Sequence, residues 1–201
     1  MSKRISRRSS DRKQDGVPQA SQILIVCEGE RTEPNYFSSF TTSSYKKIVV
    51  LGVGMNTLSL VERTIELSSK SIKYEQVWCV FDLDSFPKQN FEKAIKLAKN
   101  ENIRVAYSNE AFEIWYLLHF DYHQSAMSRD QYKAKLTEKL GRKYEKSDPE
   151  IYSDLLRLQE FAIANAQRLL KEHHSSVLDS SDKNPSTTVH ELVLELNKYV
   201  R

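Results

Sequence analysis

The chain has little cysteine. Cys27 and Cys79 are its only two. Both sit inside apolar, strand-like runs and lack metal-ligand spacing, so they read as small buried hydrophobes. No apolar run approaches the roughly 20 residues that span a bilayer. The opening stretch MSKRISRRSSDRKQD lacks the apolar segment of a secretory signal. These absences predict a soluble, cytoplasmic protein with no membrane partner. No GxxxxGK[ST] is present and no GxGxxG follows a strand-like segment. LGVGMN (51–56) stops at two glycines, which speaks against nucleotide binding of those two kinds. No internal repeat is visible.

Excess charge is also scarce. The net charge is +3 over 201 residues. Residues 1–20 hold six basic and two acidic side chains, so the remaining 181 residues sum to −1. This basic tail is poor in apolar residues and is expected to be disordered. It serves either as a solubilising segment or as a loose holder of phosphates. Residues 121–201 carry 13 basic and 13 acidic side chains, so no basic stripe shows in their composition.

What is present is an alternation. QILIVCE (22–28), YKKIVVLGVG (45–54), QVWCVFDLD (76–84) and NIRVAYS (102–108) read as strands, the first as one buried on both faces. Between them lie helices opened by Thr32, by Asn56 or Thr57, and near Asn90. The order β-α-β-α-β-α-β predicts an α/β fold with a parallel, or mostly parallel, four-stranded sheet. EAFEIWYLLHF (110–120) reads as an apolar helix on that sheet. SRDQ (128–131) and SDPE (147–150) look like capping boxes, the second opening one helix over 148–173 that could serve a homodimer. Asn184 and Pro185 read as the start of a last helix, 185–200. The expected organisation is a tail (1–20), an α/β catalytic domain (21–120) and a C-terminal helical extension (121–201).

Functional residues of parallel sheets collect at the carboxyl ends of strands. The first strand ends at Glu28 and the third at Asp82 and Asp84. Side chains two apart on a strand share a face, so the two aspartates can converge. Glu28 joins them if strands one and three are neighbours. Carboxylates so clustered repel unless a cation lies among them. Mg2+, a hard ion that takes carboxylate oxygens, is the economical choice, with Mn2+ a substitute. Gly29 would let a phosphate or metal approach the turn backbone.

The blocks VCEGERTEPNYF, VFDLDSF, SNEAFEIWYLLHF and NPSTTVHELV resemble the RloB-like family of prokaryotic proteins, in order over residues 26–193. The first two blocks are also similar to the Toprim catalytic domain of topoisomerases, primases and OLD-family nucleases. That resemblance implies a glutamate at Glu28, an Asp-x-Asp at Asp82 and Asp84, and a Mg2+-dependent nuclease centre. It further implies a role in restriction or phage defence, with nucleic acid (DNA or RNA) as substrate and a defence-operon protein as a possible partner. The alternatives are a non-catalytic metal- or nucleotide-binding effector and a primase-like nucleotidyl transferase.

Other residues divide between roles. Glu113 is either an assisting carboxylate or a surface acid favoured by a helix dipole. Glu33 reads as a first-turn helix acid, and Glu30 as an outlying neighbour of the centre. Arg31 is the best placed cation for substrate phosphate, ahead of Lys46, Lys47 and Lys88. Asn109 follows a strand end. Ser186 and Thr187 either touch phosphate through a helix N-terminus or simply cap it. His119 and His123 are spaced for a metal face without a third ligand.

Overall fold

A computed structural model describes residues 20–70, 73–83, 88–174 and 183–200. Asp84, residues 1–19 of the basic tail and half of the polar stretch DSSDKNPS (179–186) therefore lie outside the described residues. The elements follow the order β1 (Ser21–Cys27), α1 (Thr32–Ser38), β2 (Lys46–Gly52), α2 (Thr57–Ser68), β3 (Gln76–Asp82), α3 (Lys88–Asn100) and β4 (Arg104–Asn109). They continue with α4 (Glu113–Leu117), α5 (Arg129–Leu140), α6 (Ile151–Leu156), α7 (Gln159–His174), β5 (Ser186–Thr187) and α8 (Val189–Asn197).

The sheet order is β2-β1-β3-β4-β5. β1 lies parallel between β2 and β3, and Cys27 is paired with Gly52 on one side and Val80 on the other. The neighbouring of strands one and three, on which convergence of the acids depended, is therefore present. β1 is buried on both faces, and its period of two divides its side chains between two cores. Ile23, Ile25 and Cys27 pack with Trp78, Trp115 and the helices α4 and α8. Leu24 and Val26 pack with Leu60, Phe91 and Ala94 from α2 and α3. Burying each such large side chain contributes about 1.5–3 kcal/mol. Among the described residues no helix is long and apolar enough to cross a membrane.

Six expectations need correction. The sheet has five strands and is mixed, because β5 pairs antiparallel with β4. Ser186 and Thr187 therefore form a strand rather than a helix start, and α8 begins at Val189. The edge of β4 holds this segment: Thr188 N donates to Tyr107 O at 2.9 Å, and Thr188 Oγ1 accepts from Tyr107 N at 2.9 Å. Thr32 does not cap α1; Arg31 holds the cap position and no side chain caps it. The helix expected over 148–173 is two helices, α6 and α7, joined by a tight turn in which Leu158 N donates to Leu155 O at 2.9 Å. Within SDPE, Arg142 binds Asp148, whose Oδ1 also accepts from Glu150 N, so a turn precedes the helix. Residues 110–120 hold only the five-residue α4, buried along its whole length.

The SRDQ capping box is present. Ser128 Oγ accepts from Gln131 N, and Gln131 Oε1 accepts from Ser128 N at 2.8 Å. Ser128→Ala is expected to lower stability by about 1 kcal/mol, the usual worth of such a cap. A urea midpoint unchanged from the parent would contradict this.

Candidate acidic active site

The carboxyl end of β1 is held on both sides. Glu28 N donates to Val80 O at 2.8 Å, and Glu28 O accepts from Gly54 N at 3.0 Å. The backbone of Glu28 is thus fixed one residue beyond the strand. Asp82 is the last residue of β3, beside Ser108 of β4. Glu33 lies in the first turn of α1, but it points inward and is 5% exposed. Its Oε1 accepts from Gly29 N at 3.2 Å. A Cβ at residue 29 would sit 2.4 Å from Glu33 Oε2, so Gly29 is what lets this carboxylate approach the turn. Glu113, in the first turn of α4, is buried and accepts from Tyr144 Oη at 3.1 Å.

These acids line one cavity of about 730 Å3, together with Arg31, Arg129 and Lys146. Arg129, from the start of α5, places Nη2 3.4 Å from Asp82 Oδ2. Burial pushes the Asp82 carboxyl well above the usual range; Glu33 and Glu113 raise it further, Arg129 opposes, and Glu28 adds to the rise. Burial also raises Glu33, against the backbone N–H groups of Glu33 and Gly29; Glu113 adds to the rise, and Lys146 opposes it. The Tyr144 hydroxyl is pushed up by burial and by Glu113, so it remains a donor.

The donor chemistry suits a hard divalent cation. Every donor is a carboxylate oxygen, and Asp82 Oδ1 is buried with no hydrogen-bond partner among the described residues. Among the described residues, no three His, Cys, Asp or Glu side chains converge closely enough to hold a metal ion. Asp84, the third expected ligand, is outside them.

Gly29, Arg31, Glu28, Asp82 and Glu113 are thus brought to one cavity, and Glu30 and Glu33 join them. Asn109, Ser186 and Thr187 are not. Asn109 Nδ2 donates to Lys183 O at 2.9 Å, and Ser186 Oγ donates to Lys183 O at 2.7 Å. Thr187 Oγ1 lies 3.0 Å from Ser108 Oγ and accepts from Val189 N. All three are absorbed in the junction of β4 and β5. Lys46 is paired with Glu75 at 2.5 Å and covers the Tyr199 ring, at the opposite end of β2 from Gly52. His119 is buried, bonded to Trp115 O and lowered to about 4 by burial, as a core histidine is. Arg129, Lys146 and Tyr144 did not stand out in the sequence; Arg129 was visible only as part of the capping box.

A model of the RloB-like protein family matches residues 23–196. The chain belongs to the RloB-like family. No curated protein and no solved structure matches it. The RloB-like match runs from β1 into α8. It therefore takes in the acid-bearing strand ends, the helix α5 that carries Arg129 and the loop after it that carries Lys146.

Proposed function

We propose that this RloB-like chain is a Mg2+-dependent nuclease with a Toprim-type centre, cleaving phosphodiester bonds in nucleic acid as part of restriction or phage defence. One observation carries the reading. Carboxylates at the ends of two adjacent parallel strands share a cavity with three cationic side chains. Acids alone would repel a phosphodiester, and cations alone would only bind it. Together they suit a substrate anion held beside a divalent ion.

Glu28 and Asp82, with Asp84, would hold Mg2+ or Mn2+. Such an ion supplies an activated water and stabilises the leaving oxygen. Arg129 presents a planar guanidinium to non-bridging oxygens, for which its fork of donors is suited. Arg31 and Lys146 balance substrate charge at the cavity mouth. The Tyr144 hydroxyl fixes the rotamer of Glu113, which keeps that carboxylate directed at the site. Glu33, anchored on Gly29 N, holds the Glu28 turn against α1.

The test is cleavage of plasmid, single-stranded DNA and total tRNA by the purified full chain with Mg2+, Mn2+ or EDTA. Cation-dependent cutting of at least one substrate is expected. Folded protein that cuts none of them with either ion would refute the reading.

A further inference from the structure

A second cavity, of about 280 Å3, adjoins the acidic one and shares Arg31, Glu113, Arg129 and Lys146 with it. Lys133 is added on its far wall. Arg129 and Lys133 are four residues apart on α5, so they stand on one helix face. Like charges at that spacing disfavour a helix slightly. Among the described residues, none of Arg31, Lys133 and Lys146 is ion-paired.

The acids of this cavity are mostly engaged. Glu113 accepts from Tyr144, and Glu145 is paired with Lys143 at 2.6 Å. With Asp130 they make three carboxylates against four cations, Arg31, Arg129, Lys133 and Lys146. The wall is also braced. Tyr144 N donates to Thr137 Oγ1 at 3.1 Å, and Arg142 joins Asp148 and, at 2.5 Å, Asp154. Lys146 thus rises from a loop tied to α5 on one side and to α6 on the other.

We infer that the cavity walled by Arg31, Lys133 and Lys146 holds the backbone phosphate next to the one cleaved, in a single strand of nucleic acid. The inference rests on the nuclease reading. The volume equals roughly nine waters at ~30 Å3 each, room for a phosphate and part of its sugar. A stacked base pair does not fit. Because the cavities share walls, a chain crossing from one to the other has one phosphate among the acids and the next among the unpaired cations. An excess of cations over acids beside the acidic cavity is what a polyanion, rather than one small anion, would exploit.

The experiment measures binding of fluorescein-labelled 12-nucleotide single-stranded DNA and RNA to full-length Asp82→Asn across salt concentrations, with and without Lys133→Ala/Lys146→Ala. The lysine changes are expected to weaken binding about tenfold near 0.1 M salt and to reduce the salt slope by about 0.7, the share of one phosphate on a single strand. Melting temperature checks the fold, and Lys96→Ala/Lys99→Ala on α3 serves as the charge control. A slope that falls equally in the control, or not at all in the lysine variant, overturns the inference; cleavage still lost in Asp82→Asn would then leave the nuclease reading standing. Duplex bound as tightly, with the same loss, overturns the single-strand assignment. ATP or inorganic phosphate whose binding needs the lysines while the oligonucleotide's does not overturns it too. A wild-type chain that neither binds nor cuts any nucleic acid removes both readings together.

Discussion

Asp82→Asn is expected to abolish most cleavage and, without divalent cations, to make the protein more stable. The two effects have one origin. Asp82 is a buried carboxylate with one unpartnered oxygen, surrounded by Glu33, Glu113 and Glu28 and relieved mainly by Arg129. Its folded-state pKa is raised, first by burial and then by those acids. A raised carboxyl contributes stability that is full below the unfolded value of about 3.9 and is lost as pH rises through the folded value. Cation-free protein should therefore melt at a lower temperature at neutral pH than in mild acid, as far as this group contributes. The asparagine removes the charge and flattens that dependence. Each kcal/mol relieved should raise the melting temperature by about 2–4 °C. Adding Mg2+ should stabilise the parent, since an ion that binds only the folded state shifts the equilibrium toward it, and should stabilise the variant less. Cleavage should fall roughly 100- to 1,000-fold, the range for losing one preorganised charged group. Thermal melts in EDTA over a pH series, beside the cleavage assay, measure both. A variant less stable than the parent in EDTA at neutral pH would show that Asp82 is not held there at a cost.

Gly52→Ala should damage stability and site together. Gly52 ends β2, and a Cβ there would lie 2.6 Å from Gly29 O, 2.8 Å from Glu30 Cα and 2.8 Å from Pro34 Cγ. Two of these are backbone atoms of the turn that carries Glu28, so no side-chain rotation relieves the clash. Overpacking of this kind costs about 1–3 kcal/mol. The turn must shift, and a displacement near 1 Å at a reacting centre can cost about 100-fold in rate. Gly29→Ala is a useful contrast, because its Cβ meets the Glu33 carboxylate rather than backbone. It should disturb cleavage more than folding. Denaturation midpoints and cleavage rates separate the two glycines; an unaltered Gly52→Ala protein would mean that the turn does not approach β2 so closely.

The parts of this fold legible in the sequence were those written in local pattern. β1 and β3 are continuous apolar runs, and the acids at their ends follow directly. Ser128 and Gln131 satisfy each other within four residues, so that capping box needed no tertiary knowledge. β5 was hidden because two residues carry no periodicity, and its partner lies about 80 residues earlier. The SDPE box failed because Asp148, held by Arg142 six residues earlier, takes the Glu150 N–H that Ser147 would have capped. Glu33 looked like a first-turn helix acid, as it is, but its inward direction depends on the missing side chain at Gly29. The cations were invisible for another reason. Charges in 121–201 cancel by count, while the fold gathers Arg129, Lys133 and Lys146 on the side facing the acids.

The ion pair between Arg129 and Asp82 spans 47 residues of chain, and the β4–β5 pairing spans more. Assembly of the cavity is thus a late, long-range event, since distant loops must close before such contacts give any return. A nascent chain that has emerged only through α4 would present its carboxylates with Arg31 but with neither Arg129, Lys133 and Lys146 nor the strand that covers the outer edge of β4. Whatever chemistry the cavity performs, its two halves are synthesised in sequence, and every cation but Arg31 comes second.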